Sequence, residues 1–329
     1  MHTSPRLRSV LEAAGIRLLQ GLFYPLPLRW ASALGSALGW FLFSVLRLER
    51  RRTLESLEMA FGETMGPTQR TRLAARCYRH FGAVIGEFLC QARLAGRPLD
   101  DLLVLENPEA LDAALSQGKG VLLATGHQGN WELMGGAVAA KGYPFAAYVG
   151  RQHNPIADAF VNGLRRRVGI ETVPKQAAMR GMLRALNGGR ILTILSDQHF
   201  SRNRYFVNFF GRPVSIAPGL ASLMLHTGAP AVFAETWRVG RFRYRTRFAP
   251  LPAPPPSGNE ELDLLRIGQT FFDMLEDAVR RHPEQYFWMH RRWRTPPTPE
   301  QLSETNRAFL AGGAGGAGPG SAPPDPAAP

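Results

Sequence analysis

The sequence predicts an α/β fold with a mixed central sheet flanked by helices on both faces. Two observations carry that expectation. Short apolar runs, VLLAT at 121–125, FAAYV at 145–149, ILTIL at 191–195 and AVFAETWRV at 231–239, alternate with stretches long enough for helices, the pattern of a sheet buried on both sides. RFRYRTRF at 241–248 then alternates strictly, with Arg241, Arg243, Arg245 and Arg247 on one face and Phe242, Tyr244, Thr246 and Phe248 on the other. It should fold back on the preceding strand around Gly240 as a hairpin, its arginines keeping a sheet edge soluble or holding an anionic headgroup.

In chain order, the first distinctive element is WASALGSALGWFLFSVL at 30–46, an uncharged run of 17 residues. As a helix it is roughly 25 Å long, at the lower limit for spanning a bilayer. Arg6, Arg8, Arg17 and Arg29 precede it and Arg47, Arg50, Arg51 and Arg52 follow, so neither flank dominates. That balance suits a helix or helical hairpin lying in a membrane surface, and residues 1–52 are expected to form such an anchor. A core helix packed closely through Gly35 and Gly39 is the competing expectation.

From Thr68 to Ala95 apolar residues recur at helical spacing, among them Leu73, Cys77, Phe81, Val84, Ile85, Phe88 and Leu89. Cys77 and Cys90, the two cysteines, are thereby packing residues, and no zinc-type or disulfide spacing is present. The stretch 250–256 is Pro-rich and reads as a loop, while 260–282 reads as a closing amphipathic helix. The body is expected at 53–308. From 309 to the end at 329, where Ala, Gly and Pro prevail, a disordered tail is expected.

Across all 329 residues, 45% hydrophobic and 20% charged composition excludes a disordered chain, a fibre and a polytopic membrane protein. Lys plus Arg total 39 against 26 acids, a formal charge of +13. Nearly all of it is arginine, whose fork grips phosphate and carboxylate at two points, so a polyanionic surface is the expected partner.

Chemistry concentrates after VLLAT, in Gly126-His127-Gln128-Gly129-Asn130-Trp131-Glu132. A loop following a strand is where an α/β sheet exposes reactive side chains. The imidazole of His127 can accept a hydroxyl proton, and Glu132, one turn into the following helix, could hold its tautomer. The bare spacing recurs at His153 and Asp158. From spacing alone, either pair reads as a satisfied structural histidine.

The string ATGHQGNWELMGG resembles the H-x4-[D/E] box of the bacterial lipid A late acyltransferases. Further blocks agree in order: Arg151, Asp197-Gln198 closing ILTILSDQ, Phe209-Phe210-Gly211 before Pro213, Thr227-Gly228-Ala229, and PEQYFWMHRRWRT from Pro283. Ser56 stands where that family usually shows asparagine.

The resemblance implies a glycerolipid acyltransferase-like fold at the cytoplasmic face of the inner membrane. It also implies acyl transfer from acyl carrier protein or coenzyme A to a glycolipid hydroxyl, with no cofactor or metal. His127 would then be the base and Glu132 its support. Gly126, Gly129 and Asn130 would supply oxyanion-binding amides; Arg151, Asp197 and Gln198 would bind substrate; and Phe209, Phe210 and Gly211 would line an acyl groove. Competing functions are glycerolipid acyl transfer, metal-dependent hydrolysis through His127, Glu132 and His153, and nucleic-acid binding. The last lacks any recognisable binding block.

Overall fold

The computed structural model describes residues 5–312 other than 151, 153, 201–204 and 295. Four helices come first: α1 (Pro5–Phe23), α2 (Leu28–Ser44), α3 (Arg50–Phe61) and α4 (Pro67–Cys90). The sheet strands are β1 (Leu103–Glu106), β2 (Val121–Thr125), β3 (Phe145–Val149), β4 (Glu171–Pro174), β5 (Ile191–Leu195), β8 (Ala231–Gly240) and β9 (Arg243–Leu251). Between them lie α5 (Glu109–Leu115), α6 (Trp131–Ala140), α7 (Pro155–Arg167), α8 (Ala178–Asn187) and α9 (Gly219–Thr227). β6 (Tyr205–Phe209) and β7 (Arg212–Ile216) form a separate antiparallel hairpin, and α10 (Glu260–Arg281) and α11 (Glu304–Gly312) close the chain.

The seven strands run in the order β1-β9-β8-β2-β5-β3-β4. All pairs are parallel except β8 with β9, which gives the expected mixed sheet. Alternation divides the core between its two faces. Leu122, Ala124, Leu192, Ile194 and Phe233 pack with residues of α4, α9 and α10, whereas Val121, Leu123, Ile191 and Val232 pack with residues of α5 and α6.

The arginine-rich strand corrects one expectation, because β9 lies inside the sheet with β1 on its far side. Its apolar face is buried as expected. Two of its arginines are absorbed by that neighbour: Arg245 Nη1 and Arg247 Nε reach Glu106 at 3.0 and 3.4 Å.

The glycines of the apolar N-terminal run have a packing role. A Cβ at Gly35 would overlap the Gly82 carbonyl, and one at Gly39 would overlap the Tyr78 carbonyl, so α2 and α4 touch backbone to backbone. Ala31, Ser32, Gly35, Gly39 and Phe43 face inward, while Trp30, Leu38, Trp40 and Phe41 remain exposed. No described helix is long and apolar enough to cross a membrane.

The last described helix extends past residue 308. α11 runs to Gly312 because Asn306 bonds both the amide and carbonyl of Phe206, at 2.9 and 2.8 Å, and Phe309 packs on the core. Residues 313–329 lie outside the described residues.

Candidate active site

Parallel register assembles the site. Thr125 at the end of β2 pairs with Leu195 at the end of the neighbouring β5, so the second residue beyond each strand, His127 and Asp197, emerges on the same rim. His127 Nδ1 lies 2.7 Å from Asp197 Oδ1, and the His127 amide donates to Oδ2 at 2.8 Å. One carboxylate thus fixes both the ring and its backbone. With Nδ1–H donated to Asp197, Nε2 carries the lone pair, and the exposed Gln198 amide nitrogen sits 3.1 Å from it.

The carboxylate is 3% exposed and the imidazole 17%. Burial by itself would raise the Asp197 carboxyl, but the charge and hydrogen bonds of His127, with a contribution from Arg292, outweigh it and hold it down at about 2. Trp131 stands edge-on to the imidazole at 4.8 Å and Phe287 lies 6.3 Å away, giving the site aromatic walls.

The loop is braced from behind. Phe287 N–H donates to His127 O at 3.0 Å and Gly129 N–H donates to Gln285 O at 2.9 Å. Gly129 has φ +61 and lies so close to the Thr236 carbonyl that a Cβ would overlap it, so this position requires glycine. His80 Nε2 meets Gly129 O at 3.0 Å.

Asn130 caps α6 by accepting from Leu133 N–H at 3.0 Å, and its own amide donates to the buried Glu87 at 3.0 Å. Glu87 also receives Arg238 Nη1 at 2.6 Å and the Tyr244 hydroxyl at 2.5 Å. A charge pair on α4 and β8 therefore anchors the residue that starts α6.

Several expected roles change. Glu132 does not reach the imidazole: Arg165 on α7 takes both its oxygens, Nε at 3.0 Å and Nη2 at 2.5 Å, and clamps α7 to α6. Of the amides expected to bind an oxyanion, that of Gly129 is engaged by Gln285 O, and in the same loop the Gln128 N–H bonds Gly126 O at 2.8 Å and the His127 N–H is held by Asp197. Phe209 and Phe210 are buried among Phe61, Phe272, Tyr286, Trp288 and Trp293; Gly211 completes the β6–β7 turn with φ +68. Arg151 and His153 lie outside the described residues. Cys77 is core, its thiol pushed up to about 12 by burial.

In the late block, His290, Arg291 and Arg292 beside Trp288 and Trp293 suggest from sequence a membrane-interface or phosphate group, or a basic surface patch, but Arg292 is buried. This guanidinium is 2% exposed, lies over the Phe272 ring at 4.7 Å, and none of its three nitrogens has an acceptor among the described residues. His290 Nδ1 and Trp293 Nε1 are likewise without partners there. Burial first and Arg292 second push His290 down to about 4. The one signal for this group was the late block itself, in which basic residues alternate with tryptophan inside an otherwise apolar stretch.

The chain that sets this histidine–aspartate pair on the rim of a sheet packed on both faces matches a family model described as bacterial lipid A biosynthesis acyltransferase over residues 2–295. The chain belongs to that family. Among its relatives, "Phosphatidylinositol mannoside acyltransferase" of Mycobacterium tuberculosis is 27% identical over 223 residues, covering 66% of this chain and 66% of the relative. The chain thus aligns with slightly under two thirds of that protein's length. "Lipid A biosynthesis palmitoleoyltransferase" of Escherichia coli is 26% identical over 288 residues, 85% of this chain and 90% of the relative. "Lipid A biosynthesis acyltransferase" of Haemophilus influenzae is 23% identical over 297 residues, 86% and 89% respectively.

Proposed function

We propose that this family member transfers a fatty acyl chain from a thioester, on acyl carrier protein or coenzyme A, to a hydroxyl of a membrane glycolipid. The supporting observation is the His127–Asp197 pair, which leaves Nε2 as a proton acceptor at the exposed end of the ring. In the resting state Gln198 occupies that lone pair. The acceptor hydroxyl displaces it, donates to Nε2, and its oxygen attacks the thioester carbonyl carbon as the proton moves to the ring.

Asp197 stays ionised and supports the imidazolium without taking its proton. Collapse of the tetrahedral intermediate breaks the C–S bond, and the imidazolium returns its proton to the departing thiolate sulfur. The amides of His127, Gln128 and Gly129 are engaged, so the oxyanion needs other donors. The first turn of α6, whose amides have no carbonyl partner within their own helix and whose dipole is positive, meets that need. Trp131 and Phe287 offer flat apolar surfaces for the sugar or chain of the acceptor.

Relatives named for lipid A biosynthesis and for phosphatidylinositol mannoside support a glycolipid acceptor, with a lipid A precursor the first to test. The exposed apolar face of α2 supports work at a membrane surface. The experiment offers the purified full chain in detergent both donor thioesters with each acceptor and follows the glycolipid by mass spectrometry. One added acyl group, lost in His127→Ala, is expected; no mass gain on any glycolipid, or a gain that survives the substitution, overturns the proposal.

A further inference from the structure

A cleft lies behind the loop that carries His127. α2, α4 and the β8–β9 turn enclose a cleft of about 600 Å³, lined by Arg76 and Arg79 of α4, Arg241 of the turn, Trp40 and Ser36 of α2, and Glu284. Its floor includes His80 and Arg238, the side chains that brace Gly129 and pair with Glu87. Arg238 is therefore neutralised by Glu87, and burial pushes His80 down to about 3, so neither adds free charge.

What remains is the surplus at the mouth. Arg76, Arg79 and Arg241 are exposed and none has a carboxylate partner among the described residues, leaving Glu284 as the single opposing charge in the lining. Three unengaged guanidinium forks converging on one cleft suit a phosphate, whose oxygens accept in pairs. The neighbouring surface says where that phosphate comes from. The same helix that forms the cleft wall exposes Trp30 at 69%, Trp40 at 42% and Phe41 at 41%, and Val45, Leu46 and Leu48 beyond it are more than half exposed. Indoles beside arginines and an apolar row match the headgroup level of a bilayer.

We propose that the cleft between α2, α4 and the β8–β9 turn binds the phosphate of an anionic phospholipid headgroup, with Arg76, Arg79 and Arg241 as its ligands. α2 lays its apolar edge into the adjoining acyl region. This seat does not depend on acyl transfer: it docks the protein whether or not a donor or acceptor is bound.

The test is cosedimentation of the full chain with phosphatidylcholine vesicles containing phosphatidylglycerol. It compares the wild type with Arg76→Gln/Arg79→Gln/Arg241→Gln and with a charge-matched control, Arg180→Gln/Arg184→Gln/Arg307→Gln, whose sites are exposed on α8 and α11. At about fivefold per arginine, the cleft triple should bind about a hundredfold more weakly, and the control should change by only a few-fold. Equal losses in the two triples would mean diffuse charge attraction and overturn the site. Vesicle binding that survives in the cleft triple also overturns it. That holds if inorganic phosphate raises the wild-type Tm but not that of the triple, the mark of a soluble phosphate ligand. It holds equally if the triple raises the KM for an acyl carrier protein donor, the mark of an acidic protein partner. Should the triple fall short of the wild-type Tm, the single substitutions carry the comparison at about fivefold each.

Discussion

At the residue scale, the site turns on one hydrogen bond that decides which nitrogen of His127 stays open. Asp197→Asn replaces a carboxylate with an amide that can present its NH2 to Nδ1 and favour the wrong tautomer. Acyl transfer should fall by about a hundredfold or more, close to the loss in His127→Ala, with both variants keeping the wild-type far-UV circular dichroism. Arg292 makes a different prediction. Its guanidinium forgoes every hydrogen bond to the described residues, so Arg292→Met removes a desolvation cost while keeping an apolar stem over Phe272. Its Tm should match or exceed that of the wild type while the turnover rate falls roughly tenfold, since the charge beside Asp197 is lost. A large drop in Tm with unchanged turnover would show that Arg292 serves the fold instead. His127 was legible in the sequence because it follows an unbroken apolar strand. Its true partner was legible only as a candidate substrate ligand, because 70 residues separate the two and spacing favoured the nearer Glu132.

At the element scale, two contacts hold the parts around that bond. α2 lies against α4 through Gly35, Gly39 and Gly82, where each absent side chain is replaced by a neighbour's backbone. Gly39→Val must push the helices apart, and should lower stability by about 2–3 kcal/mol, read as a reduced denaturation midpoint. The Glu87–Arg238 pair is the second contact. Arg238→Met strands a carboxylate that is 1% exposed, at a cost of about 3–5 kcal/mol, whereas adding Glu87→Gln should recover part of it. Chemical denaturation of the three variants measures both effects. The expected choice between a membrane helix and a close-packed one does not divide the protein: α2 packs on its glycine face and leaves its aromatic face outside. Periodicity identifies both faces but does not say what covers each. The same reason explains Phe209 and Phe210, whose aromatic character fits a ligand groove and a protein core equally well until β6 and β7 fold them inward.

At the scale of the whole molecule, a buried and a half-buried histidine couple stability to pH. His80 and His290 are held down at about 3 and about 4, against an ordinary value of 6.5. As pH falls below 6.5 the unfolded chain binds protons that the native protein refuses, so stability declines until those folded values are passed; above 6.5 the two groups add no slope. Asp197 acts lower, its contribution present above 3.8 and lost as pH falls toward about 2. Urea midpoints should therefore fall between pH 7 and pH 5, and His80→Gln should flatten part of that decline; identical slopes in both proteins would refute the assignment. By itself the sequence determined the α/β class, the central strands and the loop that carries His127, because unbroken apolar runs and helical periodicity are local properties of the chain. Only the tertiary structure decided that Asp197 serves His127, that Glu132 belongs to Arg165, that β9 is an interior strand and that Arg292 is buried. Each of these depends on strand order and register, which place residues distant in sequence within hydrogen-bonding reach.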